Sequence, residues 1–220
     1  MKMVQMTAVG GPEVMELVEV PEPQPGPGEV RVANQAIAIN FHEINERRGQ
    51  GHTPALPTAL GSDFAGLIDA LGPGVEHLKL GDRVVGMTLR GAYAEKSCAP
   101  GALVMPIPEG VSPEQAASCP VAGLTAHFLL LDNHVGPETT LVAYAGAGSV
   151  GCFVGGLAKR IGCTSIALVS TEEKAAVARQ AGYTFVVEYR QQEPVAAVRV
   201  TTLLSGPPYR TALVSKFLTI

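Results

Sequence analysis

At 220 residues the chain is long enough to bury one large core or two small ones. Hydrophobic residues make up 46% and charged residues 16% of it, a balance that excludes a disordered polypeptide. The 16 basic residues, set against 20 acidic ones for a net charge of −4, are scattered apart from Arg47–Arg48, which excludes a nucleic-acid footprint.

The opening "MKMVQMTAVGGPEVMELVEV" has no basic-then-apolar leader, so no secretory signal is expected. Cys98, Cys119, Cys152 and Cys163 form no CxxC pair, and the five histidines no HExxH. That spacing predicts neither a disulfide framework nor a metal site, and the expectation is a reduced, cytoplasmic protein.

Up to about Pro113 the sequence reads as short strands punctuated by glycine and proline. "KMVQMTAV", "VMELVEV", "EVRVANQAIAI", "DFAGLIDAL", "DRVVGM", "AYAEKSC" and "LVMPI" are the predicted strands, several alternating with period two. "PEPQPGPG", "GPGV" and "LKLGD" are turns of an antiparallel barrel or sandwich, the proline-rich piece being a connecting loop. In "SPEQAASCPVAGLTAHFLLLD" a helix is predicted to open with Ser112 as N-cap, Pro113 at its first position and Glu114 in the first turn. Thereafter strand and helix alternate: "TTLVAYA", "SVGCFVGGLAKRIG", "TSIALVS", "TEEKAAVARQAG", "YTFVVEY" and a third helix in "QEPVAAVRV". All-apolar strands alternating with helices predict a parallel sheet covered on both faces. The fold class is therefore α/β with a β-rich N-terminal region, divided as 1–112 and 113–220.

No charge occurs from Thr139 to Ala158, a length that could span a bilayer. Its glycine content and its strand–turn–helix pattern point instead to a phosphate site. Gly146, Gly148 and Gly151 form a GxGxxG run between a buried strand and a helix, the dinucleotide fingerprint. Gly146 permits the tight turn, Gly148 lets backbone approach a pyrophosphate, and Gly151 lets helix and sheet pack closely. The amides of Ser149, Val150 and Gly151 then face the anion at the positive end of the helix. Cys152 in the same first turn is a candidate for a lowered pKa or a small core residue.

An acidic residue about 20 positions on from the fingerprint would mark NAD, and Glu172 stands near that distance. The second strand, however, ends on Ser170 and Thr171, with Lys174 close behind. Hydroxyls and an ammonium suit a 2′-phosphate, while glutamates in a first helical turn complement its dipole. NADPH is the favoured cofactor and NAD the alternative.

"GGPEVMELVEVPEPQPGPGEVRV", "AINFHEINERRG", "LGSDFAGLIDALGPGV", "LKLGDRVVGM", "GAYAEK", "PIPEGVSPEQAA", "GLTAHFLLL", "AGAGSVG" and "STEEKAAVARQAG" occur in an order that resembles the zinc-free quinone oxidoreductase branch of the medium-chain dehydrogenase/reductases, related to ζ-crystallin, over roughly residues 1–198. The resemblance implies a GroES-like catalytic domain followed by a Rossmann domain, with the active site in the cleft between them. It implies NADPH-dependent reduction of a quinone or enone in a homo-oligomer, with no membrane role. It places Asn40 and Arg47 beside nicotinamide and substrate, Thr125 on the nicotinamide side, Ser149 and Val150 at the pyrophosphate, and Ser170, Lys174 and Tyr189 at the 2′-phosphate. Asn40 stands where zinc-dependent relatives carry a ligating cysteine, and Ser62–Asp63 where they carry histidine and glutamate, so no metal is expected. Asn45 replaces a tyrosine common in relatives, and Glu43 an aspartate. For Glu43 and Arg47 the alternative to a catalytic role is a local ion pair on a surface turn.

After "EPVAAVR" the resemblance ends, and the tail with Gly206-Pro207-Pro208 follows another pattern. This predicts an incomplete Rossmann domain in a chain truncated at its C-terminus, with an exposed edge on the central strand that "TALVSKFLTI" could cover. Poor turnover, or hetero-oligomerisation with a full-length form, is the corresponding alternative. A methyltransferase also uses a glycine-rich turn, but the long barrel-like sequence ahead of the turn argues against it.

Overall fold

A computed structural model describes residues 1–50 and 55–191, positions 194, 196 and 198, and the backbone of 210–213. The chain divides into two compact units, Met1–Val121 and Ala122–Ile220.

The first unit holds two antiparallel sheets. The smaller has β1 (Lys2–Met6) between β2 (Met15–Glu19) and β4 (Thr58–Ala59). The larger combines β3 (Glu29–Ile37), β5 (Asp63–Leu71), β6 (Arg83–Met87), β7 (Lys96–Pro100) and β8 (Val104–Pro106) in the order β7-β3-β5-β6-β8. Period-two alternation decides which residues go inside. Phe64, Ile68 and Val84 join one apolar cluster, whereas their neighbours Ala65 and Val85 join another with Ile107, Ala116 and Ala117. The proline-rich segment connects β2 to β3 as expected. Strand β7 begins later than "AYAEKSC" suggested, at Lys96, with Ala94 contributing only an isolated bridge to Met3.

Between β3 and β4 lies a helix absent from the sequence reading, α1 (Phe41–Arg47), preceded by Asn40 as N-cap. The segment 112–132 differs too. It is two helices, α2 (Pro113–Ala117) and α3 (Pro120–Asp132). The predicted start is correct: Ser112 Oγ accepts from Gln115 N at 3.2 Å, and Gln115 Oε1 accepts from Ser112 N at 3.0 Å. Pro120 then breaks the run, because it has no N–H to give a preceding turn, and opens a new helix.

The second unit is built on a parallel sheet of β9 (Thr139–Tyr144), β10 (Thr164–Val169), β11 (Phe185–Glu188) and β12 (Arg210–Leu213), in the order β11-β10-β9-β12. Numbered from β9, that is 3-2-1-4, the order of the first Rossmann half and its switch point. Helices α4 (Ser149–Ile161) and α5 (Glu172–Ala181) make the crossovers. Both faces are apolar. Ala167 and Val169 of β10 pack into the cluster beneath α4 and α5, while Ile166 and Leu168 join Val142 and Val187 on the opposite face. The edge of β9 is paired, by the tail segment that the sequence offered as its cover. Arg210–Leu213 pair with Thr139–Val142, so part of the apolar tail segment covers it. Of the predicted third helix, Pro194, Ala196 and Val198 are helical, and its other residues lie outside the described ones. Among the described residues no helix is long and apolar enough to cross a membrane, and the uncharged window is strand β9, a turn and most of α4.

Candidate functional site

The glycine turn joins β9 to α4. Gly146 N donates to Leu168 O at 3.3 Å, and Gly148 N to Ala145 O at 2.8 Å. Ala145 adopts φ of 53°, the left-handed region that a Cβ disfavours, so the turn is tightly held. Two of the three fingerprint glycines are demanded by the fold. A Cβ on Gly146 would lie 2.5 Å from Ala167 Cβ, and one on Gly151 2.5 Å from Ala145 O. Gly148 is different. Its backbone is ordinary extended chain (φ −77°), and an added Cβ would meet only Ala145 O, at 3.2 Å. As N-cap it offers no side-chain acceptor, so no cap covers the first-turn amides of Ser149, Val150 and Gly151. A methyl-free surface and uncapped amides at one helix start are what a pyrophosphate requires.

The carboxyl ends of β10 and β11 bring three more of the predicted residues to one edge. Val169 pairs with Glu188, so the residues that follow, Ser170 and Tyr189, are neighbours, and Tyr189 N donates to Val169 O at 3.0 Å. Lys174 Nζ donates to Ser170 Oγ at 3.2 Å. Tyr189 is exposed. Glu172, the candidate ribose ligand for NAD, is instead ion-paired with Arg179 at 2.6 Å, which holds its carboxyl below the usual range. Cys152 does not have a lowered pKa. Burial pushes its thiol up.

In the first unit Asn40, Glu43, Arg47 and Asp63 are all buried. Glu43 and Arg47 are therefore not a surface ion pair. Glu43 Oε2 accepts from Asn40 N at 2.7 Å and from the Tyr93 hydroxyl. Arg47 Nη1 donates to Gly10 O at 2.5 Å. Burial, together with the hydrogen bond to Glu43, raises the Tyr93 pKa. Asp63 Oδ2 accepts from Asn40 Nδ2 at 3.1 Å and from Val121 N at 3.2 Å. Beside them, His42 Nε2 and Ser62 Oγ are 3.0 Å apart. A cavity of about 660 Å³ in this unit is lined by apolar side chains together with polar and charged ones, among them Glu43, Arg47, Tyr93, Asn34 and Glu95. Thr125 stands on α3, one turn beyond Val121. Among the described residues no three His, Cys, Asp or Glu side chains are grouped to hold a metal ion. The sequence reading missed Tyr93 and Tyr183; for Asp63 the signal was present, an acidic residue opening an apolar strand.

Residues 26–109 match the alcohol dehydrogenase GroES-like domain. Over 208 residues the chain is 40% identical to the quinone oxidoreductase of Pseudomonas aeruginosa, an alignment that covers 93% of this chain and 63% of that protein. The chain belongs to the quinone oxidoreductase branch of the medium-chain dehydrogenase/reductases. Solved structures of the branch agree. The quinone oxidoreductase of Pseudomonas syringae pv. tomato superposes with a TM-score of 0.83 at 39% identity, covering 93% of this chain and 63% of that one. The Escherichia coli quinone oxidoreductase, solved in complex with NADPH, gives 0.86 at 34% identity, covering 96% and 64%. The chain thus spans a little under two thirds of the length of these relatives.

Proposed function

We propose that this chain binds NADPH and reduces a quinone, or an enone or enal of similar electronic character. The observation that carries the reading is the glycine turn, where packing crowds a Cβ to 2.5 Å at Gly146 and Gly151 but only to 3.2 Å at Gly148, the position beside the uncapped amides. The NADPH bound by the Escherichia coli relative supports the choice of cofactor.

In this reading the amides of Ser149, Val150 and Gly151 receive the pyrophosphate, and Ser170, Lys174 and Tyr189 hold the 2′-phosphate. Lys174 supplies the charge and Ser170 the hydroxyl to which it is already bonded. Bound NADPH supplies a hydride. Asn40 and Thr125 orient the nicotinamide and the acceptor, and Arg47, on the substrate side, braces the helix that Asn40 caps. A quinone or enone delocalises the arriving charge over its own oxygen, so the side chains position rather than attack. We further propose a cytoplasmic protein that acts as a homo-oligomer.

A second reading is a chain that binds NADPH weakly without turning over by itself, the observation behind it being that the described parallel sheet, β11-β10-β9-β12, holds one half of the strands of a dinucleotide-binding fold and the first strand beyond it. Steady-state oxidation of NADPH with and without a simple benzoquinone separates the two. Quinone-dependent turnover supports the reductase. NADPH binding without turnover supports the second reading, and absence of both overturns each.

A further inference from the structure

Asn40 is held at its backbone and at its side chain by two different buried carboxylates. Its N–H donates to Glu43 Oε2 at 2.7 Å, and its Nδ2 to Asp63 Oδ2 at 3.1 Å. An ionised carboxylate can only accept, so Asp63 decides which end of the Asn40 amide faces it and turns the carbonyl oxygen away. The same Asp63 oxygen accepts from the N–H of Val121, the second residue of α3, at 3.2 Å. Thr125 follows Val121 by four residues and so lies on the same face of that helix.

Asp63 is fully buried, and its second oxygen has no hydrogen-bond partner among the described residues. Burying a carboxylate this way costs folding free energy that an apolar strand residue would avoid. The groups around it are the Glu43 carboxylate, the His42 ring and the Cys119 thiol, and no basic side chain forms an ion pair with it among the described residues. Its two hydrogen bonds do not serve its own strand. They fix the side chain of one residue and the start of one helix.

We propose that Asp63 is a positioning residue that sets both the amide orientation of Asn40 and the start of the helix carrying Thr125. This rests on the reading above, which puts Asn40 and Thr125 at the nicotinamide. The anchor can be tested without activity. In wild type the Val121 amide should exchange slowly with solvent, because its N–H donates to the buried Asp63. D63A should speed that exchange at least about tenfold, N40A should leave it slow, and D63N, which keeps an acceptor of the same shape, should fall between them. Exchange unchanged in D63A overturns the anchor, and a thermal melt of each variant shows that it is folded. The positioning role is then read from NADPH-dependent quinone reduction. D63A and N40A should each lower kcat at least about fivefold with smaller changes in KM, and the double variant should be no worse than the poorer single one. Losses that simply multiply mean that Asp63 does not act through Asn40 and overturn the role. A wild type that neither binds NADPH nor turns over overturns the functional reading and the positioning role with it, while the exchange result decides the anchor by itself.

Discussion

The hydroxyl of Tyr183 donates to the carbonyl oxygen of Gly151 at 2.8 Å, tying the approach to β11 to the first turn of the nucleotide helix. The ring is buried, and a Cβ on Gly155 would lie 2.7 Å from its Cε2. Tyr183 thus fills the space that the glycines of α4 leave open. Y183F should cost about 1 kcal/mol of stability through the lost hydrogen bond. G155A should cost about 1–3 kcal/mol, because a buried ring has to move. Denaturant titration measures both, and an unperturbed G155A would contradict this packing.

The middle and last fingerprint positions should separate folding from binding. G151A forces a Cβ against backbone and should lower stability by more than about 1 kcal/mol. G148A changes an N-cap without a side-chain bond and should cost less than about 1 kcal/mol, yet weaken NADPH binding at least about tenfold by keeping the pyrophosphate off the amides. Equal effects of the two substitutions on both quantities would refute the assignment of Gly148 to the ligand.

Arg47 and Gly10 exchange two hydrogen bonds, Arg47 Nη1 to Gly10 O and Gly10 N to Arg47 O at 2.9 Å. R47A leaves the Gly10 carbonyl without its charged donor and should lower stability by about 1–3 kcal/mol whether or not NADPH is present. A variant as stable as wild type that has lost only turnover would show that the brace is unimportant.

Burial holds the Asp63 carboxyl above its ordinary value of 3.8, against the bonds from Asn40 and Val121, with the nearby Glu43 charge adding to the rise and His42 opposing it. The folded state therefore keeps this proton more tightly than the unfolded chain does. The contribution of Asp63 to stability is fully present below the unfolded value and is lost as pH rises through the folded one. D63N lacks that dependence. Compared by denaturation at a series of pH values, the variant should gain on wild type as pH rises above about 4. A difference that stays constant with pH would contradict a buried charge at this position.

Much of this architecture is legible in the residues themselves. Alternation in "DFAGLIDAL" and "DRVVGM" marks strands because their two faces feed two different clusters. Ser112 marks a helix start because a cap is local chemistry. Helix α1 is not legible that way. Its buried residues are Glu43 and Arg47, so it has no apolar stripe, and its burial is explained by partners distant in sequence, Tyr93 and Gly10. The pairing of Arg210–Leu213 with β9 is equally non-local. At the candidate site, the glycine turn and the Ser170–Lys174 pair could be read from spacing, whereas the Asp63 link to Val121 joins residues 58 apart.

The most direct measurement is calorimetric titration of wild type and K174A with NADPH and with NADH. Wild type should bind NADPH at least about tenfold more tightly than NADH, the scale of one charge-assisted contact to phosphate. K174A should lose most of that difference while NADH affinity stays the same. Equal affinity for the two nucleotides in wild type, or a preference for NADPH that survives K174A, would contradict the account.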